Sequence, residues 1–166
     1  MTDYDVAIVG GGAAGLMCAI EAGKRGRSVV VIEQSKSVAG KIRISGGGRC
    51  NFTNIHCSPD NFQSENNHFS KSALKRYSPQ DFINLVEDYD IAYHEKTLGQ
   101  LFCDNSAHDI IGMLTSECDK VGVKIKTSMI VKSVKRDESF KLVTTDGVIS
   151  SGTLVVATGG PSIPKM

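Results

Sequence analysis

A glycine-rich turn between two apolar runs constrains the fold of this chain more than any other feature of the sequence. The stretch reads DVAIVGGGAAGLMCAIEAGKRGRSVVVIE. Its pattern predicts a buried strand over Val6–Val9 and a helix over Leu16–Lys24. A second strand is predicted over Ser28–Ile32. This order is a complete βαβ unit, with Gly-x-Gly-x-x-Gly in the turn and an acidic residue, Glu33, 18 residues after the last glycine.

Each residue type in this unit has a physical role in binding a dinucleotide. Gly10 allows the tight turn out of the strand, Gly12 lets the backbone approach a pyrophosphate, and Gly15 allows the helix to pack closely on the strand. The free N–H groups at the start of the helix face the anion. Glu33 can accept hydrogen bonds from ribose hydroxyls, which favours FAD or NAD over NADP. The alternative is a glycine-rich turn of no function, which the complete βαβ context disfavours.

Length and composition indicate one ordinary globular domain. The 166 residues are 40% hydrophobic and 22% charged, which is typical of globular chains. Because the net charge is only +1, we expect no nucleic-acid partner. No apolar run has the length of about 18 residues that a membrane helix needs, and the start of the chain lacks the basic residues of a signal peptide. Five cysteines without a CxxC pair indicate free thiols in the cytoplasm.

A second unusual stretch, GKIRISGGGRCN, runs from Gly40 to Asn51. Three consecutive glycines carry an entropic cost that is easiest to explain if the backbone approaches a ligand. Successive N–H groups in such a turn can form an anion-binding nest, and Lys41, Arg43 and Arg49 add positive charge. A flexible surface loop remains the alternative, because glycine clusters are also common in plain turns.

The rest of the chain alternates helix and strand signals around one irregular polar segment, residues 55–71. Its histidines show no metal-binding spacing. The expected elements are a short helix over Lys71–Tyr77, a helix that begins at Ser78-Pro79, strands over Ile91–Lys96 and Gln100–Cys103, a helix over Ala107–Lys120, a strand over Val123–Lys126, three short strands within Met129–Ile149, and a buried strand over Thr153–Ala157 that runs into Thr158-Gly159-Gly160. The three short strands predict an antiparallel meander.

With these motifs in this order, the chain resembles the YhiN/BaiN-like family of FAD-dependent flavoproteins along its whole length. The resemblance implies an α/β Rossmann-like FAD-binding domain of the glutathione-reductase-like type, with a parallel sheet and an inserted β-meander. It also implies two groups of FAD contacts. The first group, at the pyrophosphate and the adenosine ribose, is Gly10, Gly12, Ala13, Ala14, Gly15, Glu33 and Gln34. The second group, at the flavin side, is Lys41, Gly46, Gly47, Gly48, Arg49, Cys50 and Asn51.

Two later motifs complete the contacts that the resemblance implies. Val131, at the start of the meander, matches a residue that meets the adenine through its backbone. The run Ala157, Thr158 and Gly159 matches a second short signature, where the backbone turns under the cofactor.

The activity that the resemblance implies is flavin-dependent redox chemistry, in which a hydride passes from NAD(P)H to FAD and then to a small organic substrate. Some relatives reduce double bonds of steroids or bile acids, but nothing in this sequence carries that substrate over. No catalytic residue is assigned. A redox dithiol of Cys50 and Cys57 is one hypothesis, and a packed Cys50 is the favoured one.

The family sequences continue beyond the part that residues 1–166 match. Residues 1–166 correspond to the N-terminal part of the FAD-binding domain, without the substrate domain and the C-terminal return. We therefore expect a C-terminally truncated chain that binds FAD weakly or not at all alone, and that has the missing portion as a partner. The rival interpretations are an inactive fragment or split subunit, and an NAD-dependent Rossmann dehydrogenase, which the second glycine stretch and the meander disfavour.

Overall fold

The strands of this chain form a six-stranded sheet and a separate three-stranded sheet. The computed structural model describes residues 3–160. The chain divides into two units: one contains the residues up to Ile42 together with those from Leu114 onward, and the other is Arg43–Met113. Each unit contains one of the two sheets.

The elements follow the chain in an order that begins with the predicted βαβ unit. They are β1 (Tyr4–Val9), α1 (Ala13–Lys24), β2 (Val29–Ile32), α2 (Gly40–Ile44), β3 (Asn51–Asn54), α3 (Lys71–Arg76), α4 (Pro79–Glu87), β4 (Tyr93–Glu95), β5 (Gln100–Cys103), α5 (Ala107–Lys120), β6 (Lys124–Lys126), β7 (Val131–Arg136), β8 (Phe140–Thr144) and β9 (Gly147–Val156). Short 3-10 turns cover Ser45–Gly48 and Pro59–Asn61.

The first unit is built on the six-stranded sheet, in the order β6-β2-β1-β9-β8-β7. Strands β6, β2, β1 and the second half of β9 run parallel. Strands β7, β8 and the first half of β9 form the predicted antiparallel meander. The fold is therefore a mixed α/β structure dominated by a parallel sheet, as the sequence predicted.

Both faces of β2 and of the middle of β1 are buried, which explains why these central strands are almost entirely apolar. Alternate residues of β1 and β2 pack with residues of the meander in one core, which comprises Ala7, Val30, Ile32, Met129, Leu142 and Ile149. The intervening residues, such as Ile8 and Val31, are fully buried on the opposite face. Helix α1 contributes its own buried residues, Leu16, Ala19 and Ile20. Burial on both faces stabilises the edge at which β1 and β2 end.

The second unit contains the antiparallel sheet, in the order β3-β5-β4, together with α3 and α4. Helix α4 begins as predicted, because Ser78 caps it and forms a reciprocal capping box with Asp81. Phe52 of β3 makes ring contacts with Phe82 of α4 and Tyr93 of β4, at centroid distances of 6.0 and 5.5 Å. These aromatic contacts attach the helix to the sheet.

The structure corrects the predicted strands near the C-terminal end. The third meander strand and the strand predicted over Thr153–Ala157 are one continuous strand, β9. Ser151 pairs with Phe140 of β8 and also with Tyr4 of β1, so β9 passes from an antiparallel partner to a parallel one. The prediction that this last stretch is buried was wrong, since Val156 is 71% exposed.

The region after β2 also differs from the prediction. The stretch of residues 40–51, for which the sequence predicted no helix or strand, begins with helix α2, and strand β3 starts at its last residue. Helix α1 begins at Ala13 instead of Leu16, because Gly12 is its N-cap and alanine favours a helix. Strand β4 is shorter than predicted, since the N–H of Ile91 donates to the carbonyl oxygen of Val86 and so closes the end of α4.

Candidate functional site

A groove in the first unit follows the carboxyl ends of β1, β2 and β9. The chain leaves these parallel strands through Gly10, Glu33 and Ala157. Backbone hydrogen bonds hold the ends together. The N–H of Gly10 donates to the carbonyl oxygen of Ile32, and the N–H of Ala157 donates to the carbonyl oxygen of Val9, both at 2.8 Å. Ligands of open α/β sheets bind in the crevice at this end of the strands.

The glycines of the turn bring three backbone segments closer than side chains would permit. Gly10 has a φ of +108°, and a Cβ atom there would clash with the backbone of Ala157. A Cβ atom at Gly15 would clash with the carbonyl oxygen of Gly10. Gly12 differs, because a Cβ atom at this position would have no neighbour within 4 Å and would project into open space. Gly10 and Gly15 are thus required by the protein's own packing, whereas Gly12 leaves room for a ligand.

Glu33 holds a fixed, ionised carboxylate beside the turn. Its Oε2 accepts a hydrogen bond of 2.7 Å from the N–H of Gly11, and its Oε1 accepts one of 2.8 Å from the N–H of Ser35. Burial opposes ionisation, but hydrogen bonds from the backbone of Ser35, Gly11 and Gln34 and from the Ser35 side chain together outweigh it and hold the pKa of Glu33 below its ordinary value. An ionised carboxylate has further lone pairs, so Glu33 can still accept hydrogen bonds from a ligand hydroxyl.

Two adjoining pockets make up the groove. The first has a volume of about 250 Å³ and combines apolar side chains with Glu33 at the end of β2. It is lined by Val9, Gly10, Ile32, Glu33, Gln34, Met129, Ile130, Val131 and Thr158. The second has a volume of about 330 Å³ and surrounds the start of α1; it is lined by Gly10, Gly12, Ala13, Ala14, Glu33, Gln34, Ser35, Gly40, Lys41, Ile42, Ala157, Thr158 and Gly159. Four shared residues join them, so a long ligand can lie along both.

The structure brings most of the predicted contact residues together in this groove. Every residue of the first predicted group lines it except Gly15, which lies beneath it in the packing of α1 on β1. Val131, Ala157, Thr158 and Gly159 also line it, although they are more than 90 residues away in sequence. Lys41 is the one member of the second group in the groove, where its Nζ donates to the carbonyl oxygen of Gly160 at 2.6 Å.

The rest of the second predicted group, residues 46–51, lies in the second unit. Gly46, Gly47 and Gly48 have φ angles of 58°, 66° and 86°, which explains the three consecutive glycines without any ligand. A Cβ atom at Gly46 would also be 2.7 Å from the ring of Phe102. Flavin contacts by Gly46, Gly47, Gly48, Arg49, Cys50 and Asn51, and an anion-binding nest, therefore stay predictions.

The thiols of the second unit do not have the environment of a reactive pair. Cys50 is only 4% exposed, and burial raises the pKa of its thiol, although a hydrogen bond with the Ser45 side chain opposes the shift. Burial also raises the pKa of Cys103 to about 12. Because the thiolate is the nucleophile, these shifts favour a packed Cys50 over a redox partner of Cys57.

Sequence reasoning missed residues on both sides of the groove. Val9 and Ile32 are the last residues of β1 and β2, and their position beside Gly10 and Glu33 was a usable signal. The residues before β7, in the segment after β2 and in α2 had no such signal, because they reach the groove only through the fold; they are Met129, Ile130, Ser35, Gly40 and Ile42.

No group of histidine, cysteine, aspartate and glutamate side chains within residues 3–160 could hold a metal ion. No helix in the described part of the chain is long and apolar enough to cross a membrane.

Comparison with known proteins places the chain in a family. The family model described as HI0933-like protein Rossmann domain matches residues 4–166. The ribosomal RNA dihydrouridine synthases of Escherichia coli (strain K12) and Haemophilus influenzae are 48% and 50% identical over 100% and 96% of this chain. The 3-dehydro-bile acid delta(4,6)-reductase of Clostridium scindens is 26% identical over 93% of it. The chain spans about two fifths of these curated relatives, 42%, 41% and 39% of their lengths.

Among solved structures, the L-proline dehydrogenase of P. horikoshii has a TM-score of 0.69 at 16% identity, over 96% of this chain and 54% of that one. At this identity the likeness concerns the fold alone, and that fold is the one predicted from the sequence. The chain therefore belongs to the HI0933-like family, and its fold is the Rossmann-like α/β fold that the family's description names.

Proposed function

We propose that the groove of the first unit binds FAD along its two pockets. The apolar first pocket takes the adenine, beside Val131 and Ile130. Glu33 accepts hydrogen bonds from the adenosine ribose, and the N-terminus of α1 in the second pocket faces the pyrophosphate. Lys41 adds a positive charge on the same side.

Three observations of the structure support the fit of FAD to these residues. The space above Gly12 is open, so a pyrophosphate can approach the backbone. The carboxylate of Glu33 is ionised and held by two N–H groups, as a ribose acceptor requires. The parts of the groove are continuous through Gly10, Gln34 and Thr158.

We further propose that the chain is the cofactor-binding part of an enzyme that reduces uridine of ribosomal RNA to dihydrouridine. The observation that carries this proposal is the identity of 48–50% along 96–100% of the chain with two ribosomal RNA dihydrouridine synthases. Bound FAD, once reduced, would supply a hydride to one carbon of the C5–C6 bond of the uracil ring, and a general acid of the remaining portion would supply a proton to the other carbon. We propose NAD(P)H as the source of the hydride. Since the chain spans about two fifths of these relatives, we assign the reaction to a protein that includes the remaining portion.

The chain's own residues would hold the cofactor rather than carry out the proton transfers. The N–H groups of Gly11 and Ser35 fix the carboxylate of Glu33, and the packing of Gly15 on Gly10 fixes the start of α1. Such fixed groups lower the cost of ordering a bound ligand. The proposed nucleic-acid substrate departs from the expectation based on the net charge of +1, which averages over the whole chain.

A second candidate is the reduction of a steroid-like double bond, favoured by the bile acid reductase that is 26% identical to this chain. Both substrates contain a carbon–carbon double bond conjugated to a carbonyl group, so the reaction type is shared. The lower identity places this candidate second. An NAD-dependent dehydrogenase ranks below both candidates, because the second glycine stretch and the meander of β7, β8 and β9 disfavour it.

A chimaera tests the proposal. The matching portion of the Escherichia coli relative is replaced by this chain and expressed in a strain that lacks that relative. We expect dihydrouridine to return to the ribosomal RNA, measured by mass spectrometry of digested nucleosides. A matched chimaera with Gly10→Val should not restore it. If the chimaera without the Gly10→Val change retains FAD but forms no dihydrouridine, ribosomal RNA is refuted as the substrate. Reduction of a 3-oxo steroid by that protein would favour the second candidate.

A further inference from the structure

An exposed basic and aromatic segment lies in the second unit, away from the groove in sequence. We define the basic-aromatic segment as residues 66–77, NNHFSKSALKRY. Phe69 is 77% exposed, which is unusual for a phenylalanine in a folded chain, and Tyr77 is 37% exposed. The N–H of Phe69 donates to Asn66 at 2.9 Å, so a turn holds the ring outside the protein immediately before α3.

The charges of this segment are all of one sign. It contains Lys71, Lys75 and Arg76 and no carboxylate. The second unit as a whole is acidic, with nine carboxylates and six cations over residues 43–113. Half of the unit's cations therefore lie on one short helix. Within the described residues, no ion pair occupies any of these three side chains.

Helix stability does not explain this arrangement of charge. Lys71 is at the first position of α3, where a cation is unfavourable to the helix dipole and no acidic residue compensates. Lys71 and Lys75 are four residues apart, so two like charges share one face, which destabilises a helix. Only Lys75 and Arg76, in the last turn, suit the dipole. Six residues span about 9 Å of helix, so all three cations are close together.

We propose that the basic-aromatic segment binds an unpaired stretch of RNA, with Phe69 and Tyr77 stacking on bases and the three cations contacting phosphates. This inference rests on the proposed function, because ribosomal RNA is the proposed substrate. Single-stranded RNA is recognised by aromatic side chains on which bases stack, together with a positively charged surface that follows the backbone. Exposed aromatic rings beside unpaired cations meet both requirements, and an acidic surface elsewhere in the unit restricts the RNA to this segment.

The test measures binding of a fluorescent oligouridylate of about ten nucleotides to the full chain by anisotropy over a range of salt concentrations. Three phosphate contacts predict a slope of about −2 in log K against log salt for a single strand. In the triple variant Lys71→Gln, Lys75→Gln, Arg76→Gln, we expect that slope to fall towards zero. In Phe69→Ala we expect about tenfold weaker binding with an unchanged slope.

Matched control variants test whether the effects are specific to the basic-aromatic segment or follow from any loss of exposed charge or apolar surface. Lys124→Gln, Lys132→Gln, Lys135→Gln removes the same charge from exposed positions of the first unit and should leave the slope unchanged. Leu98→Ala removes an 82% exposed side chain from the second unit and should leave affinity unchanged. Circular dichroism confirms that each variant is folded. Equal effects of the two triple variants, or no effect of the first, would overturn the proposal.

Two further arms identify the ligand and separate this inference from the proposed function. The same sequence as an RNA duplex should bind more weakly, and binding to phosphatidylserine vesicles with no preference for the oligouridylate would overturn an RNA surface. In the chimaera, the basic-aromatic triple variant should keep FAD and lose dihydrouridine. If the unmodified chimaera forms no dihydrouridine, while binding of the oligouridylate still depends on the basic-aromatic segment, the proposed function fails and the proposed RNA surface remains.

Discussion

Two glycines of the turn, Gly12 and Gly15, should have opposite consequences when each is replaced by alanine. At Gly15 the new methyl group meets the carbonyl oxygen of Gly10, which is backbone and cannot rotate away. At Gly12 the methyl group meets nothing within 4 Å, and the residue's φ of −83° suits alanine. We therefore expect Gly15→Ala to lower stability and Gly12→Ala to lower cofactor affinity.

The magnitudes follow from the two environments. Overpacking against a rigid neighbour costs up to about 3 kcal/mol, and the higher helix propensity of alanine returns about 1 kcal/mol at Gly15. The net loss of about 2 kcal/mol corresponds to a Tm lower by about 4–8 °C in a chain of this size. Loss of glycine from the N-cap at Gly12 costs about 0.5 kcal/mol, which is a shift of about 1–2 °C.

Thermal unfolding followed by circular dichroism measures stability, and flavin absorbance after desalting the chimaera measures cofactor affinity. For Gly12→Ala we expect at least about tenfold weaker FAD binding, since the methyl group occupies space that the pyrophosphate would use; tenfold corresponds to about 1.4 kcal/mol. A Gly15→Ala chain with an unchanged Tm, or equal losses of stability in both variants, would refute the reasoning from contact distances.

Three other predictions test separate parts of the structure. Gly112→Ala, exposed in the middle of α5 with no atom within 4 Å of the added methyl group, should raise the Tm by about 2–4 °C, because alanine favours a helix by about 1 kcal/mol; a lower Tm would contradict it. Glu33 has a pKa below its ordinary 4.5 in the folded chain, so its ionised form stabilises the fold fully above pH 4.5 and progressively less as the pH falls through the folded pKa. The difference in Tm between the parent and Glu33→Gln should accordingly shrink below pH 4.5, and a constant difference would argue against the role of the two backbone donors. Thiol labelling at pH 8 should reach half-exposed Cys57 before Cys103 and Cys118, whose pKa values burial raises to about 12 and about 11; equal rates in the native chain, compared with the unfolded one, would contradict their burial.

Helices with local start and stop signals were predictable from the sequence. Helix α5 covers Ala107–Lys120, the range that the pattern predicted. Helix α4 begins where Ser78 and Pro79 indicate, and its capping hydrogen bonds join residues only three apart. Such signals act within one turn of the chain, so they do not depend on the rest of the fold.

Strand partners were less predictable, because pairing depends on residues far apart in sequence. The polar run Ser150, Ser151 and Gly152 resembles a break between two strands, yet it lies inside β9. Ser151 is fully buried there, between partners on β8 and β1. Tertiary contacts therefore override the local preference of these residues.

The same division holds for the candidate site. The sequence alone determined the turn from Gly10 to Gly15 and the acid at Glu33, because a βαβ unit places both at one sheet edge over a short distance. Only the tertiary structure decided what completes the groove: β9 brings Thr158 beside Gly10, and the meander brings Met129 and Val131 beside Glu33. The physical reason is that these walls depend on the parallel pairing of β1 with β9 and on burial of the meander against the sheet. Both are contacts between residues more than 90 positions apart, and no local pattern encodes them.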